Sequence, residues 1–580
     1  MIEVRSLSFT YPGASIPALA ELSLEVRDGE YLALAGANGS GKSTLIRCLN
    51  GLAVPPRGTV RVDGLDPSLP EERRLIRRSL SLVFQSPPDQ IVASVVEEDA
   101  AFGLENLGVP RPEMVGRVEA VLAELGLWDE RARPTRFLSA GQQQRLAVAG
   151  ALVLKPRHLA FDEATSMIDP SGRSEILDRM DALAASGTTV IHVTHDMDEA
   201  ARARRVVALC EGGVAFDGTP EELFRQGNLA SLGLKPPRAW SLALDLGLDP
   251  KIRESPEDLG LRAARAFRGP GGFSATPGDP GAPDTGPGGG SGALEPSDEG
   301  PAFLLEGASL RYLKGTPNER LAVDGVSLTV PRGSLVALVG ATGSGKSSLL
   351  QLMDALAFPE SGRVLSFGSD TSDPKADLRA LRMRSPLAVQ RPESALFEYY
   401  SGDEVSFGPR NQGLSGSAVV SRVREAMDAV GLPFSEYRDR PARSLSGGQK
   451  RRLALASVLS MEPDALLLDE PGSALDPVSR ETLMELVYSY ARTGRTVVFA
   501  THSMEEAARA DQVVVLAGGR VRAVGAPGLV FGSGWDPEWG LVLPFGERVA
   551  RAARREGLAR PRGRVPAGVP AKESAGEVRG

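Results

Sequence analysis

A chain of 580 residues, 42% hydrophobic and 24% charged, has room for roughly three to five domains of ~100–200 residues, each with its own core. Its net charge of −8 and pI near 5.5 offer no basic face for nucleic acid. Two distant cysteines, Cys48 and Cys210, exclude a disulfide framework or a cysteine-based metal site and fit a reducing compartment.

In chain order, the opening MIEVRSLSFTYPG lacks the basic-then-apolar pattern of a signal segment. No uncharged apolar run approaches the ~20 residues that a membrane span requires. A role at a membrane therefore has to run through a partner. The alternating EVRSLSFTY predicts a half-buried strand, and YLALAG a buried strand entering a glycine loop. HLAFD and TTVIHVTH read as further strands around the helical EILDRMDALAAS, and VVALCEGGVAFDG as a hairpin. The same series then returns as FLLEGASLRYL, LVALVG, ALLLD, ETLMELVYSYAR, TVVFATH and VVVLAGGRVRAVG. Strands alternating with helices predict a parallel α/β sheet in each copy.

The repeat keeps its spacing. Lys42 and Lys346 are 304 residues apart, Gln85 and Gln390 305, and the pairs Ser139/Ser446, Asp162/Asp469 and His195/His502 are each 307 apart. Matched order over so long a stretch means a duplicated domain. The expected boundaries are a first domain at 1–230 with an extension at 231–267, a linker at 268–301, a second domain at 302–532, and an extension and tail at 533–580. The linker, with GPGGFSATPGDPGAPDTGPGGGSG, holds too little apolar surface for a core and reads as disordered. Its random-coil reach of roughly 30 Å lets the two domains pair face to face.

GANGSGKST (Gly36, Asn38, Gly39, Ser40, Gly41, Lys42, Ser43, Thr44) and GATGSGKSS (Gly340, Thr342, Gly343, Ser344, Gly345, Lys346, Ser347, Ser348) match the phosphate-binding P-loop pattern. Glycines let backbone N–H groups curl around phosphate oxygens, and the following helix N-terminus adds positive potential. Lys42 and Lys346 are placed for the β- and γ-phosphates, Ser43 and Ser347 for Mg²⁺. Asp162-Glu163 and Asp469-Glu470 end apolar runs. The first carboxylate of each pair is suited to Mg²⁺ and the second to activating water.

LSAGQQQR (Leu138–Arg145) and LSGGQKRR (Leu445–Arg452) complete a resemblance to the ATP-binding-cassette (ABC) ATPases, whose signature is LSGGQ. The resemblance implies two ABC domains, each a RecA-like parallel core with an antiparallel β subdomain and a helical subdomain. It also implies ATP and Mg²⁺ as cofactors, and head-to-tail pairing in which each signature completes the other half's site. Ser446, Gly448 and Gln449 would then face the first P-loop, and Ser139, Gly141 and Gln142 the second. Ala140 departs from the pattern. By the same resemblance Gln85 and Gln390 are Q-loop residues touching Mg²⁺ and the attacking water. His195 and His502 are switch histidines, Asp169 and Asp476 are D-loops, and Tyr11 and Tyr312 stack on adenine. His158 and His192 read as structural. No expected catalytic residue is missing from either half.

Among tandem ABC proteins, a ribosome-acting ABC-F factor would carry a charged helical arm where this chain has its glycine–proline linker. Sugar-importer tandems usually carry one degenerate site. QSPPDQIVASVVEEDAAFGLENLG and QRPESALFEYYSGDEVSFGPRNQG, following Gln85 and Gln390, resemble the corresponding segment of energy-coupling-factor (ECF) transporter ATPases, as does DEATSMIDPSGR at Asp162–Arg173. Ser394 is a departure in the second half. The resemblance implies docking onto a transmembrane coupling protein that works with a small substrate-binding membrane protein. The chain would then sit at the cytoplasmic face of the membrane and drive uptake of a vitamin, a precursor, or cobalt or nickel. Docking would use apolar Ile91, Val92, Leu396 and Phe397 with carboxylates Glu97, Glu98, Asp99, Asp403 and Glu404. Phe102 and Phe407 also fit a core. The arginine-rich run from Arg548 to Arg564 reads as a solvated basic helix end.

Overall fold

The computed structural model describes residues 1–14, 16–165, 170–266, 300–316, 319–391, 395–473 and 475–555. Most of the linker, Asp169, Ser394, the side chain of Ala140 and the arginines beyond 555 lie outside the described residues.

Each half builds the same three parts. In the first, β1 (Ile2–Phe9), β2 (Leu19–Val26) and β4 (Val60–Val62) form an antiparallel sheet in the order β2-β1-β4. Along β1, Ile2 and Val4 are buried at the two-residue period of a one-sided sheet, and a register shift at Arg5–Ser6, with Ser6 at φ 46°, returns Leu7 to the buried face. The larger sheet joins β3 (Tyr31–Ala35), β5 (Leu80–Val83), β6 (His158–Asp162), β7 (Thr189–Val193), β8 (Arg205–Cys210) and β9 (Gly213–Gly218) in the order β5-β6-β7-β3-β8-β9. Its pairings are parallel except β8 with β9. Strands β3, β6 and β7 are buried at every residue, because helices cover one face and the antiparallel sheet with helix Lys42–Asn50 covers the other.

In the second half, β10 (Phe303–Tyr312), β11 (Arg320–Val330), β13 (Ser361–Ser366) and β14 (Ser369–Asp370) make the antiparallel sheet β11-β10-β13-β14. The larger sheet, β15-β16-β17-β12-β18-β19, uses β12 (Leu335–Val339), β15 (Leu387–Ala388), β16 (Ala465–Asp469), β17 (Thr496–Thr501), β18 (Gln512–Ala517) and β19 (Arg520–Gly525). Helices Val96–Asn106, Arg111–Glu124 and Ala140–Leu152 form the first helical subdomain, and Ser401–Asn411, Ser417–Ala429 and Gly447–Leu459 the second.

The extensions join the halves. Helix Pro256–Ala266 lies against Phe545–Arg555, so close that a Cβ on Gly260 would sit 2.4 Å from the Val549 carbonyl oxygen. Ala239, Ala243, Leu259 and Val549 form a small shared core. Arg548 forks onto both Glu257 oxygens at 2.8 and 2.9 Å, and Lys235 pairs with Glu481. The basic run is thus not simply solvated: Arg548 crosses to the other half, and Arg551 and Arg554 both pair with Glu547.

One buried position breaks the repeat. In the first half Asn50 donates its amide to the Leu80 carbonyl at 2.8 Å, tying the P-loop helix to β5. The matching residue of the second half is Asp354, buried, with Oδ1 unpartnered. Burial pushes its carboxyl up to about 8, against the opposing charge of Arg382. The folded state therefore keeps a proton that the unfolded chain loses near pH 4. This group's contribution to stability falls as pH rises from about 4 to 8, by up to ~1.4 kcal/mol per pH unit, then levels off. Asp354→Asn should raise the thermal midpoint at pH 8 and change it little at pH 4. Equal shifts at both pH values would contradict the protonated assignment.

Candidate functional site

Sheet order assembles the site. Adjacent strands β5, β6, β7 and β3 end at one edge, and their C-terminal ends carry Gln85, Asp162-Glu163, His195 and the P-loop in turn. Strands β15, β16, β17 and β12 do the same for Gln390, Asp469-Glu470, His502 and the second P-loop. Residues far apart in sequence become neighbours because crossovers place the first and last of these strands only three apart.

Within the P-loops, Gly36 and Gly340 press against the Leu209 and Leu516 carbonyls, each 2.4 Å from where a Cβ would stand. Gly41 and Gly345 cap the helices Lys42–Asn50 and Lys346–Met353 in the left-handed region, φ 104° and 106°. Lys42 Nζ donates to the Gly36 and Ala37 carbonyls at 2.8 and 2.7 Å. Lys346 Nζ donates to Gly340 and Ala341 at 2.8 and 3.2 Å. Burial lowers both ammonium pKa values, while the neighbouring acidic pairs oppose that. Ser40 Oγ and Ser344 Oγ are buried inside the loops without a partner, orphaned polar atoms of the kind a phosphate oxygen satisfies. Asn38, Gly39, Thr342 and Gly343 form the outer turns.

Ser43 Oγ donates to Asp162 at 2.8 Å, and Ser347 stands beside Asp469, whose Oδ1 is buried without a hydrogen-bond partner. A hydroxyl, a carboxylate and a nearby glutamine amide are an all-oxygen donor set, which fits Mg²⁺. Burial pushes Asp162 up to about 6 and raises Asp469, each against the serine beside it.

Glu163 and Glu470 share a feature that sequence reading missed. Both lie in the left-handed region, φ 48° and 52°, unusual for a side chain of this size. The turn lets Glu163 N–H reach the Val193 carbonyl and Glu470 N–H the Ala500 carbonyl, both at 3.1 Å. Gln85 Nε2 donates to Glu163 Oε2 at 2.7 Å, and Gln390 Nε2 to Glu470 Oε2 at 2.9 Å. His195 Nδ1 stands 3.3 Å from Glu163, and His502 Nε2 2.6 Å from Glu470. Burial alone would raise both glutamates, but the histidine beside each and the P-loop lysine hold them below the ordinary range. His195 is raised, its glutamate partner outweighing burial. His158 is buried against Asp63, and His192 between Tyr31 and Glu199, as structural residues.

Tyr11 and Tyr312 rest over the first helical turns. Tyr11 OH lies 3.3 Å from Thr44 Oγ1, and Tyr312 OH donates to Ser348 Oγ at 3.3 Å. Both tyrosines are 37% exposed, enough to offer a ring.

The signatures start helices through a capping box that the S-x-x-Q spacing encodes. Gln142 N–H donates to Ser139 Oγ at 3.2 Å, and Ser139 N–H to Gln142 Oε1 at 2.9 Å. Ser446 and Gln449 repeat this at 3.3 and 2.9 Å. A Cβ on Gly448 would stand 3.8 Å from Asn38 Nδ2, so the second signature faces the first P-loop. Asp476, which caps helix Pro477–Arg492, adds its field at Lys42 from the other half. Gly141 follows Ser139 in the first turn of its helix. The wall around residues 166–169 that would accompany it lies outside the described residues.

The family profile described as ABC transporter matches residues 19–166 and 323–473. The chain belongs to the ABC transporter ATPases. A tandem ABC transporter ATP-binding protein of Methanosarcina acetivorans is 33% identical over 97% of this chain and 92% of its own length. One of Bifidobacterium longum is 35% identical over 88% of this chain, which spans 64% of that protein. The energy-coupling factor transporter ATP-binding protein EcfA of Syntrophomonas wolfei is 45% identical over 41% of this chain and 87% of its own. Among solved structures, cbiO1 of Clostridium perfringens, part of the transporter complex cbiONQ, shares 33% identity over 40% of this chain and 92% of its own, with a TM-score of 0.37. As an ABC transporter ATPase the chain binds and hydrolyses ATP. Among the described residues no helix is long and apolar enough to cross a membrane.

Proposed function

We propose that this ATPase energises an ECF-type importer, docking with both halves on a transmembrane coupling protein that works with a small substrate-binding membrane protein. The observation that carries this reading is a paired apolar surface beside the Q-loops. In the first half Leu52, Val54, Val92 and Phe102 are exposed, and in the second Leu356, Phe358, Phe397 and Phe407. Phe102 and Phe407, which also fit a core on sequence, stand 41% and 46% exposed, and Phe407 stacks edge-on with Phe397 at 4.8 Å. Two such patches at matched places favour a buried interface.

The acidic positions divide. Asp99 Oδ1 accepts from the Val92 and Ala93 N–H groups at 2.7 and 2.9 Å, and Glu404 Oε2 from Phe397 and Glu398 at 2.9 and 2.8 Å. These two are therefore not partner contacts. They turn inward and hold the loop so that Val92 and Phe397 face out. Glu97 and Glu98 remain exposed for an arginine on the partner. The similarity to EcfA points the same way.

In this reading Lys42 and Lys346 hold the phosphates, while Ser43 with Asp162 and Ser347 with Asp469 hold Mg²⁺ together with Gln85 and Gln390. Bound Mg²⁺ neutralises charge on the phosphates. Glu163 and Glu470 accept the proton of the attacking water, and each switch histidine keeps its glutamate ionised and aimed. Closure brings the Ser446–Gly448 turn onto the first site and the Ser139–Gly141 turn onto the second.

Extracted from membranes, the chain should copurify with one integral membrane protein and a second small one carrying a bound vitamin or metal ion. Reversing Glu97 and Glu98 to lysine together with Phe397→Asp should release both and leave ATP affinity within about twofold, since none of the three touches the P-loops. Sedimentation with ribosomes in place of membranes would overturn the reading in favour of an ABC-F-like factor.

A further inference from the structure

The extension helices begin beside matched carboxylates. Asp198, three residues past His195, lies within the electrostatic reach of Arg238, first residue of helix Arg238–Asp245. Glu505, three residues past His502, accepts through Oε1 from the Phe545 N–H at 3.1 Å, first residue of helix Phe545–Arg555. Arg238 and Phe545 are 307 residues apart, as are Asp198 and Glu505 and the two histidines.

The side chains at the matched positions then diverge. Phe545 packs on the apolar cluster that both extensions share. Arg238 crosses to the other half, where its Nη1 donates to Glu505 Oε1, the oxygen that also holds Phe545. Its charge acts on Asp196 and Asp198 as well. One arginine thus stands with its charge against the turn behind one switch histidine and its side chain bonded to the turn behind the other.

Both turns are stiffly tied to their histidines. Asp196 caps helix Met197–Ala200 at the Asp198 N–H, 2.8 Å, and takes an ion pair from Arg173, which also holds Glu199 at 2.7 Å. In the second half Glu506 holds Arg480 and Thr501, each at 2.5 Å, on the segment that carries His502. Each histidine is thus linked to Arg238 by the short turn that follows it, through charge at Asp196 and Asp198 in the first half and through the Glu505 bond in the second.

We propose that Arg238 is a positioning residue that couples the two nucleotide sites, so that ATP at one shifts the affinity of the other through the paired histidine turns. The inference needs the ATPase activity alone and stands apart from the importer reading. A half-exposed ion pair of this kind supports a coupling of no more than about fivefold.

The test is ATP hydrolysis by the full chain across ATP concentrations. The wild type should show a Hill coefficient above one. Arg238→Ala should lower it measurably toward one, with maximal turnover within about twofold. Arg238→Lys, which keeps the charge, should restore most of it, and Glu505→Gln should match the alanine variant from the other side. A wild type without cooperativity, an unchanged coefficient in Arg238→Ala, or an Arg238→Lys variant as impaired as alanine would overturn the proposal. So would a loss of maximal turnover with cooperativity intact, which marks a structural role only.

Discussion

Replacing Glu163 and Glu470 together by glutamine should lower steady-state ATP turnover by about 10²–10⁴-fold, the span of a lost general base. Each carboxylate sits where a strand from the core sheet ends, with its backbone twisted into the left-handed region. Each is held by a Q-loop glutamine on one oxygen and faced by a switch histidine on the other. Those neighbours, with the P-loop lysine, overcome burial and keep the group ionised, and only the ionised form can take a proton from water. Glutamine has nearly the same shape, so ATP should still bind. Because both halves carry the full set, each single variant should lose rate. An unaffected Glu470→Gln beside an inactive Glu163→Gln would show that only one site hydrolyses.

A graded glycine series should separate strain from collision in the P-loops. Gly39→Ala meets nothing within 4 Å and suffers only its φ of 83°, a cost of about 1–3 kcal/mol. Gly345→Ala adds a collision: its Cβ would lie 2.4 Å from the Ala322 carbonyl, and a backbone oxygen in β11 cannot step aside. Nucleotide affinity, read by calorimetry with a non-hydrolysable ATP analogue, should fall about tenfold at the first site for Gly39→Ala, from ~1.4 kcal/mol. It should fall at least about a hundredfold at the second site for Gly345→Ala, where strain and collision act together. Equal losses would mean that the close approach of the two backbones has no energetic weight.

Much of this was legible in the residues. The near-constant offset announced two copies, because short motifs do not keep order and spacing by accident. Glycines with a lysine and serine at P-loop spacing, and acidic pairs after apolar runs, announced nucleotide chemistry, because phosphate and Mg²⁺ demand those donors. The fates of Asp99 and Glu404 were not legible. A carboxylate on a polar loop reads alike whether it meets a partner's arginine or its own backbone N–H groups, and only the fold brings Val92 and Phe397 within reach. Phe102 and Phe407 were ambiguous in the opposite sense, since a helix's exposed face is known only once its packing is.

By itself, then, the sequence determined the duplication, the order of strands and helices, and the kinds of group each site contains, since these depend on local pattern and side-chain chemistry. The tertiary structure decided what depends on sequence-distant neighbours. It folded Glu163 and Glu470 into left-handed turns, where each backbone N–H meets a carbonyl of the next strand over. It brought Gly448 of one half to Asn38 of the other. It also set Arg238 across the seam between the halves, where its charge meets Glu505, whereas Phe545 at the matched position turns into an apolar cluster.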